Sequence, residues 1–196
     1  MADDILSLMP VRSGHFILES GYHTNVWFGL DSLFVSPRRI APLVTDLSQR
    51  LGRYQPSAVC GPQHGGAFLA QAVAAELGLH FYYTLTKHSV RANGLFAATY
   101  ELPAGVKSLA GSERFAIVDD VISAGSSVRA THTELADAGG EVVAVGALVL
   151  LGTKARDHFS TLGVPVETLA ERSFETWTPD ECPSCGRGEQ LEDPSS

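Results

Sequence analysis

The segment that decides the fold reads VDDVISAGSS over residues 118–127. The apolar run 115–118 leads into it and predicts a strand buried in the centre of a parallel sheet. Two adjacent acids, Asp119 and Asp120, follow, and a turn of small and hydroxylated residues then opens a helix that ends at Gly139-Gly140. Strand, acidic turn and helix in this order predict one unit of an α/β sheet, with the turn beyond the strand's carboxyl end.

The rest of the chain repeats this alternation. Helices are predicted at 37–51 and 69–77, and strands at 57–60, 81–85, 141–151 and 165–169; a glycine-rich turn is predicted at 61–66 and a long loop, with one short strand at 97–102, over 86–111. Such alternation with short turns predicts a doubly wound, mainly parallel α/β sheet. Both small-residue turns follow strands, so both are expected at the edge of the sheet where ligands bind.

The length of 196 residues predicts a single domain with a small appendage. The domain is expected over 1–178, with an irregular N-terminal hood at about 1–35 and the core at about 36–170. Residues 179–196 are rich in Pro, Gly and Ser and predict a loose polar tail.

The charge balance limits the partners. Asp and Glu number 22 against 14 Lys and Arg, a formal charge of −8, which disfavours nucleic acid and anionic membranes as partners because both call for a basic face. No apolar run approaches the ~18–20 residues of a membrane span, and the N-terminus lacks a basic signal. A cytoplasmic protein is therefore expected, and a small anionic ligand held by a local site remains open.

The turn at 119–127 has the chemistry of a phosphate cradle. Small residues allow backbone N–H groups to face an anion, and the start of the helix adds its dipole. Hydroxyl donors come from Ser123, Ser126 and Ser127, while the two acids before them suit sugar hydroxyls or a hydrated Mg²⁺ ion. A diphosphorylated ribose would use both parts of the segment, its phosphate contacting the turn and its hydroxyls contacting the acids. The plainer interpretation is two turn acids before a capped helix.

The same segment resembles the phosphoribosyl pyrophosphate (PRPP) signature of type I phosphoribosyltransferases: four hydrophobics, two acids, two hydrophobics and a small hydroxyl-rich loop with Gly. The resemblance implies that fold, with a hood built from the two termini, and a loop of Ser123, Ala124, Gly125, Ser126 and Ser127 around the 5′-phosphate. In that family the turn Gly61, Pro62, Gln63, His64, Gly65 and Gly66 approaches the pyrophosphate through its backbone. His64 is open to two interpretations, a ligand contact or a solvent-facing side chain.

Two further features resemble the orotate phosphoribosyltransferases within that family. The stretch 16–28 is similar to their N-terminal segment over the base, which implies that Trp27 and Phe28 line the base site; taken alone, these aromatics would be core residues. Arg129 stands where those enzymes face the orotate carboxylate with an arginine, a suitable bidentate partner. Its plainer interpretation is an exposed helix arginine.

The long loop departs from the family pattern. Lys87 matches the first loop lysine, and Arg91 matches the following basic residue only with an insertion. Thr86 replaces a common arginine, and Glu19 stands where some members have lysine. These departures leave open which base is accepted.

The resemblance implies a Mg²⁺-dependent enzyme that transfers phosphoribosyl from PRPP to a base, with orotate giving orotidine 5′-monophosphate and pyrophosphate in pyrimidine biosynthesis. Asp119 and Asp120 would hold the ribose, and Lys87, Arg91, the turn 61–66 and Mg²⁺ would take the pyrophosphate. The loop 86–105 would close over the site in a homodimer. Alternatives are transfer to another base and a non-catalytic PRPP-binding regulator.

The three cysteines do not form a complete disulfide framework. Cys60 lies in an apolar stretch and is expected to be a buried core residue. Cys182 and Cys185 form a C-x2-C pair, which supplies only two ligands for zinc. The pair is therefore expected to be free or oxidised, and zinc would call for ligands from elsewhere, as across a dimer.

Overall fold

The computed structural model describes residues 11–18, 21–90, 96–173 and 175–193. Its strands are β1 (Val11–Ile17), β2 (His23–Phe28), β3 (Ala58–Pro62), β4 (His80–Val90), β5 (Phe96–Glu101), β6 (Arg114–Ile122), β7 (Glu141–Leu151) and β8 (Val166–Arg172). Its helices are α1 (Asp31–Phe34), α2 (Pro37–Gly52), α3 (Gly65–Leu77), α4 (Ala104–Lys107), α5 (Ser126–Asp137), α6 (Lys154–Thr161) and α7 (Pro183–Gly186).

Six strands form one sheet in the order β5-β4-β3-β6-β7-β8. All neighbouring pairs are parallel except β4 and β5, which are antiparallel. Helices cover both faces, each over its own buried apolar cluster. The predicted doubly wound α/β fold is confirmed.

The apolar spacing of the helices explains how they pack. In α2, Ile40, Val44, Leu47 and Leu51 are buried on one face, and this face lies on β7 and β8. A Cβ added at Gly146 of β7 would lie 2.9 Å from Leu51 Cδ1, so glycine there allows the helix to approach closely. α3 ends at Gly78, which adopts φ +67°, a conformation that glycine takes without cost.

The long loop predicted over 86–111 was wrong in its first part. β4 continues to Val90 and pairs with β5, with Lys87 opposite Thr99. Polar and small residues suggested a loop, but an edge hairpin can be partly solvated and tolerates them. The predicted short strand at 97–102 is confirmed as β5, whereas residues 91–95 lie outside the described part of the chain.

The two ends of the chain also differ from expectation. The N-terminal segment, expected to be irregular, contains the antiparallel hairpin β1–β2. The tail is not loose, because Trp177 pairs with His23 and Glu192 pairs with Phe16. The local sequence pattern could not predict these pairings, because the paired residues are far apart in the sequence. The sequence also gave no prediction for α6. Within the described residues, no helix has the length and apolarity that crossing a membrane demands.

Candidate active site

Two turns meet at one edge of the sheet because β3 and β6 are adjacent and parallel, with Cys60 opposite Ile117. The glycine-rich segment 61–66, predicted as a turn, runs from the end of β3 into the start of α3, and its two helical glycines lie directly against the acids of β6. A Cβ added at Gly65 would lie 2.2 Å from Asp120 Oδ2, and one at Gly66 would lie 2.8 Å from Asp119 Oδ1. Glycine at these positions therefore leaves room for the carboxylates.

Both acids are part of β6 rather than of the turn after it, since the strand continues to Ile122. Asp119 is buried, and its carboxylate accepts hydrogen bonds from Ser127 Oγ at 2.8 Å and from the Asp120 N–H at 3.0 Å. Burial, followed by the neighbouring charge of Asp120, raises the pKa of Asp119 well above its ordinary value. Asp120 is less buried and accepts a hydrogen bond from the Val121 N–H at 2.8 Å.

The hydroxyl-rich loop forms the N-terminus of α5. Gly125 caps the helix with φ +78°, and Ser126 is exposed at its first position. A Cβ at Gly125 would lie 2.9 Å from Ala155 Cβ, so the loop rests on the start of α6. The exposed helix N-terminus presents N–H donors to an anion. The Ser127 hydroxyl is engaged with Asp119 and so supports the acid in this structure.

The glycine-rich turn is equally compact. A Cβ at Gly61 would lie 2.0 Å from the Gly66 carbonyl oxygen, and the Gln63–His64 peptide is cis. The Gln63 N–H donates to the Thr84 carbonyl at 3.0 Å, which ties the turn to β4. His64 is exposed at the start of α3, as its solvent-facing interpretation expects.

Of the two cations predicted to act at the site, Lys87 and Arg91, only Lys87 is among the residues that the structure describes. Lys87 is exposed and forms an ion pair with Glu101 across the hairpin. Arg91 and Glu19 lie outside the described residues.

Of the residues predicted for the base site, Trp27 and Phe28 lie on β2, and Arg129 lies on α5. Trp27 packs beside Phe16 with ring centroids 6.3 Å apart. Phe28 packs against the core and lines a groove of about 530 Å³ together with Arg172. Arg129 is exposed on α5. The pKa of His158 on α6 is lowered, first by the burial of His158 and then by the positive charge of Arg129. The structure thus places Phe28 at a groove and Arg129 on the helix that begins at the hydroxyl-rich loop.

These features define an α/β protein in which a glycine-rich segment and a helix N-terminus lie beside two acids at the carboxyl edge of a parallel sheet. The family model described as phosphoribosyl transferase domain matches residues 35–179. The chain belongs to this phosphoribosyltransferase family, as its sequence motifs predict.

Relatives and solved structures agree with this membership. The chain is 34% identical over 176 residues to the orotate phosphoribosyltransferase of Desulforamulus reducens, covering 90% of this chain and 85% of that protein. The crystal structure of orotate phosphoribosyltransferase from Aeropyrum pernix superposes with a TM-score of 0.65 at 24% identity, over 87% of this chain and 94% of that one. An adenine phosphoribosyltransferase from Rhodothermus marinus gives a TM-score of 0.67 at 20% identity, over 87% and 98%. The fold alone therefore does not select the base.

Proposed function

We propose that the protein transfers the phosphoribosyl group of PRPP to orotate, giving orotidine 5′-monophosphate and pyrophosphate, a step of pyrimidine nucleotide synthesis. The observation that carries this proposal is the packing of Gly65 and Gly66 against the carboxylates of Asp120 and Asp119. It brings the glycine-rich segment against two acids, and Ser127 of the helix that follows bonds to one of them. The orotate phosphoribosyltransferase relative supports orotate as the base.

The reaction replaces one bond at C1′ of the ribose with another. A ring nitrogen of the base attacks C1′, while the bond from C1′ to pyrophosphate breaks and its electron pair leaves with pyrophosphate. The transition state resembles an oxocarbenium ion, so the protein's task is to orient the two reactants and to stabilise the leaving charge.

Each part of the site has a task in this scheme. Asp119 and Asp120 accept hydrogen bonds from the ribose hydroxyls, and the loop 123–127 holds the 5′-phosphate through its N–H groups and through Ser123 and Ser126. The turn 61–66 binds the pyrophosphate through its backbone. Lys87 and Arg91 add positive charge when the hairpin closes and excludes water, whose attack on C1′ is the competing reaction.

The donor set fits Mg²⁺ held through substrate and water. Asp120 is the less buried of the two acids, so we assign its carboxylate and the substrate's own oxygens as the hard ligands. Mg²⁺ prefers such oxygen donors and keeps several waters beside one or two carboxylates. The ion would neutralise pyrophosphate charge there. We further infer a cytoplasmic homodimer, because the family resemblance implies sites shared between subunits through the loop.

The base is tested by a panel of orotate, uracil, adenine and hypoxanthine, each assayed with PRPP and Mg²⁺ for pyrophosphate release. Turnover with orotate alone supports the proposal. Turnover with a purine and not with orotate would show that the protein is a phosphoribosyltransferase for another base. The departures from the family pattern at Thr86 and Glu19 favour this alternative. Tight PRPP binding with no turnover on any base overturns the enzymatic function and favours a PRPP-binding regulator.

A further inference from the structure

Four side chains with metal-binding atoms converge where the tail meets the hood. His15 and His23 come from β1 and β2, whereas Cys182 and Cys185 flank the start of α7. One ligand atom from each of the four lies within 4.8 Å of all the others. This cluster is remote in sequence from the acids and turns of the proposed active site and stands independently of the proposed function.

Four of the six distances between the ligand atoms are short, between 3.0 and 3.6 Å. His15 Nε2 lies 3.0 Å from His23 Nδ1, 3.4 Å from Cys182 Sγ and 3.6 Å from Cys185 Sγ. His23 Nδ1 lies 3.3 Å from Cys185 Sγ. Zn–N bonds of about 2.0–2.1 Å and Zn–S bonds of about 2.3 Å in tetrahedral geometry place the ligand atoms about 3.3–3.8 Å apart. Three of these four distances fall in this range, the His15–His23 distance is shorter, and all six are within 4.8 Å, so small side-chain shifts would form a tetrahedral site.

The surrounding hydrogen bonds orient the first ligand. His15 Nδ1 lies 3.0 Å from the Glu189 carbonyl oxygen, and a carbonyl can only accept, so Nδ1 carries the proton and donates. This leaves the Nε2 lone pair directed at the cluster. A histidine ligand held by a hydrogen bond from its other ring nitrogen is the usual arrangement in metal sites.

The backbone also brings the two segments together. The Glu192 N–H donates to the His15 carbonyl at 2.7 Å, and the Trp177 and His23 main chains exchange hydrogen bonds of 3.0 and 2.8 Å. His15, His23 and Cys182 are buried, and only Cys185 is exposed. Both cysteines are free thiols in the structure, each with its sulfur near an imidazole nitrogen.

We propose that His15, His23, Cys182 and Cys185 bind one Zn²⁺ ion that fastens the C-terminal tail to the N-terminal hairpin. Two thiolates and two neutral imidazoles balance the charge of the ion. Four protein ligands leave no open position, which is the property of a structural rather than a catalytic zinc site. The two ligands that the C-x2-C pair lacks come from the same chain rather than from a dimer partner.

The first test is the metal content of untagged protein purified without chelators. We expect about one zinc per chain by mass spectrometry of the metal, and loss of most of it in Cys182→Ser and Cys185→Ser. Cys60→Ala is the matched control, because Cys60 is buried in β3, and it should keep its zinc. Zinc-free wild-type protein that also fails to take up added ZnCl₂ under reducing conditions would overturn the proposal, as would equal loss in the Cys60 variant.

Cobalt reports the ligand set directly. Metal-free protein loaded with Co²⁺ should show the visible bands of a tetrahedral site and a thiolate charge-transfer band, which falls to about half in Cys185→Ser because one of two thiolates remains. His15→Ala should alter the tetrahedral bands and leave the thiolate band. An octahedral cobalt spectrum would contradict the site. So would a Cys182–Cys185 disulfide that remains after treatment of the fresh protein with a reducing agent.

A measurement on wild-type protein avoids variants that fail to fold. A chelator should lower the thermal midpoint of the wild type and expose two additional thiols to a thiol reagent, whereas zinc should restore both. The same chelator should leave the midpoint of Cys182→Ser unchanged. An unchanged wild-type midpoint and thiol count would show that no metal fastens the tail.

Discussion

The Ser127 hydroxyl donates a 2.8 Å hydrogen bond to Oδ2 of the buried Asp119. This bond joins the first turn of α5 to the end of β6, so the helix N-terminus and the acid occupy fixed positions relative to each other. It also lowers the pKa of Asp119, which opposes the upward effects of burial and of Asp120. The start of α5 and the acid at the end of β6 are therefore held together as one structural unit.

Replacing Ser127 by Ala should decrease kcat/KM for PRPP about tenfold or more, since a hydrogen bond to a charged group contributes ~1.5–3 kcal/mol. The pKa of Asp119 should rise further, so the acidic limb of the pH–rate profile should move to higher pH. Ser127→Thr keeps the hydroxyl and should restore most activity. An unchanged acidic limb in Ser127→Ala would show that the hydrogen bond does not tune Asp119.

Gly65→Ala tests the contact between the glycine-rich turn and the acids. Its new methyl group would lie 2.2 Å from Asp120 Oδ2, so the carboxylate or the turn must move. We expect PRPP turnover to fall at least ~100-fold, as misplacement by ~1 Å does in pre-organised sites. Gly105→Ala is the matched control, because nothing lies within 4 Å of an added Cβ there. Equal activity of the two variants would disprove the contact.

Arg129→Ala tests the recognition of a carboxylated base. If the guanidinium faces the orotate carboxylate, KM for orotate should increase about tenfold or more, since charge-assisted pairs are about twice as strong as neutral ones. Activity with an uncharged base should change little. Arg53→Ala, exposed at the far end of α2, serves as the control. An Arg129 variant with unchanged orotate kinetics assigns the base site to other residues.

Glu113 offers a pH test of stability at the opposite edge of the sheet. Burial raises its pKa, but hydrogen bonds from Ser57 at 2.5 Å and His80 at 2.6 Å outweigh it, and the net pKa is lowered. A lowered folded-state pKa stabilises the protein above the ordinary carboxyl pKa, and this contribution is lost as pH falls through the folded-state value.

The free energy of unfolding, measured with urea between pH 3 and pH 7, should therefore decrease toward acid. Glu113→Gln should remove about 1–3 kcal/mol at neutral pH and flatten this dependence. Glu76→Gln is the control variant, because Glu76 is an exposed residue of α3. Its free energy of unfolding should keep the pH dependence of the wild type. A Glu113 variant with the slope of the wild type would exclude this carboxyl as its source.

The sequence was sufficient for the parallel sheet and for the two small-residue segments at its edge, because these depend on local signals. The apolar composition of the central strands predicts them, and the acids and small residues around Gly125 follow one of these strands directly. The β4–β5 hairpin was missed because edge strands accept polar residues and so resemble loops. The position of Ser127 on Asp119 was also not predictable, since three serines compete for the same interpretation.

The tail shows the limit most clearly. Cys182 and Cys185 identify half of a metal site, but His15 and His23 lie more than a hundred residues away, with spacing that follows no local motif. The pairing of Trp177 with His23 and of Glu192 with Phe16, together with the hydrogen bonds of His15 to the tail, brings the halves together. Long-range contacts of this kind are fixed by the folded chain and not by any window of sequence.

Asp119 and Asp120 are proposed to hold the ribose of PRPP, and the double variant Asp119→Asn, Asp120→Asn is the decisive test of this role. The fold should stay intact, because each asparagine keeps the size of the aspartate it replaces and one oxygen that can accept the hydrogen bonds made there. The measurement is pyrophosphate release from PRPP with orotate and Mg²⁺, compared with Asp137→Asn, an exposed acid at the end of α5. We predict activity at background for the double variant and wild-type activity for Asp137→Asn, with unchanged circular dichroism in both. A folded double variant that retains near-native turnover would contradict the assignment of the site.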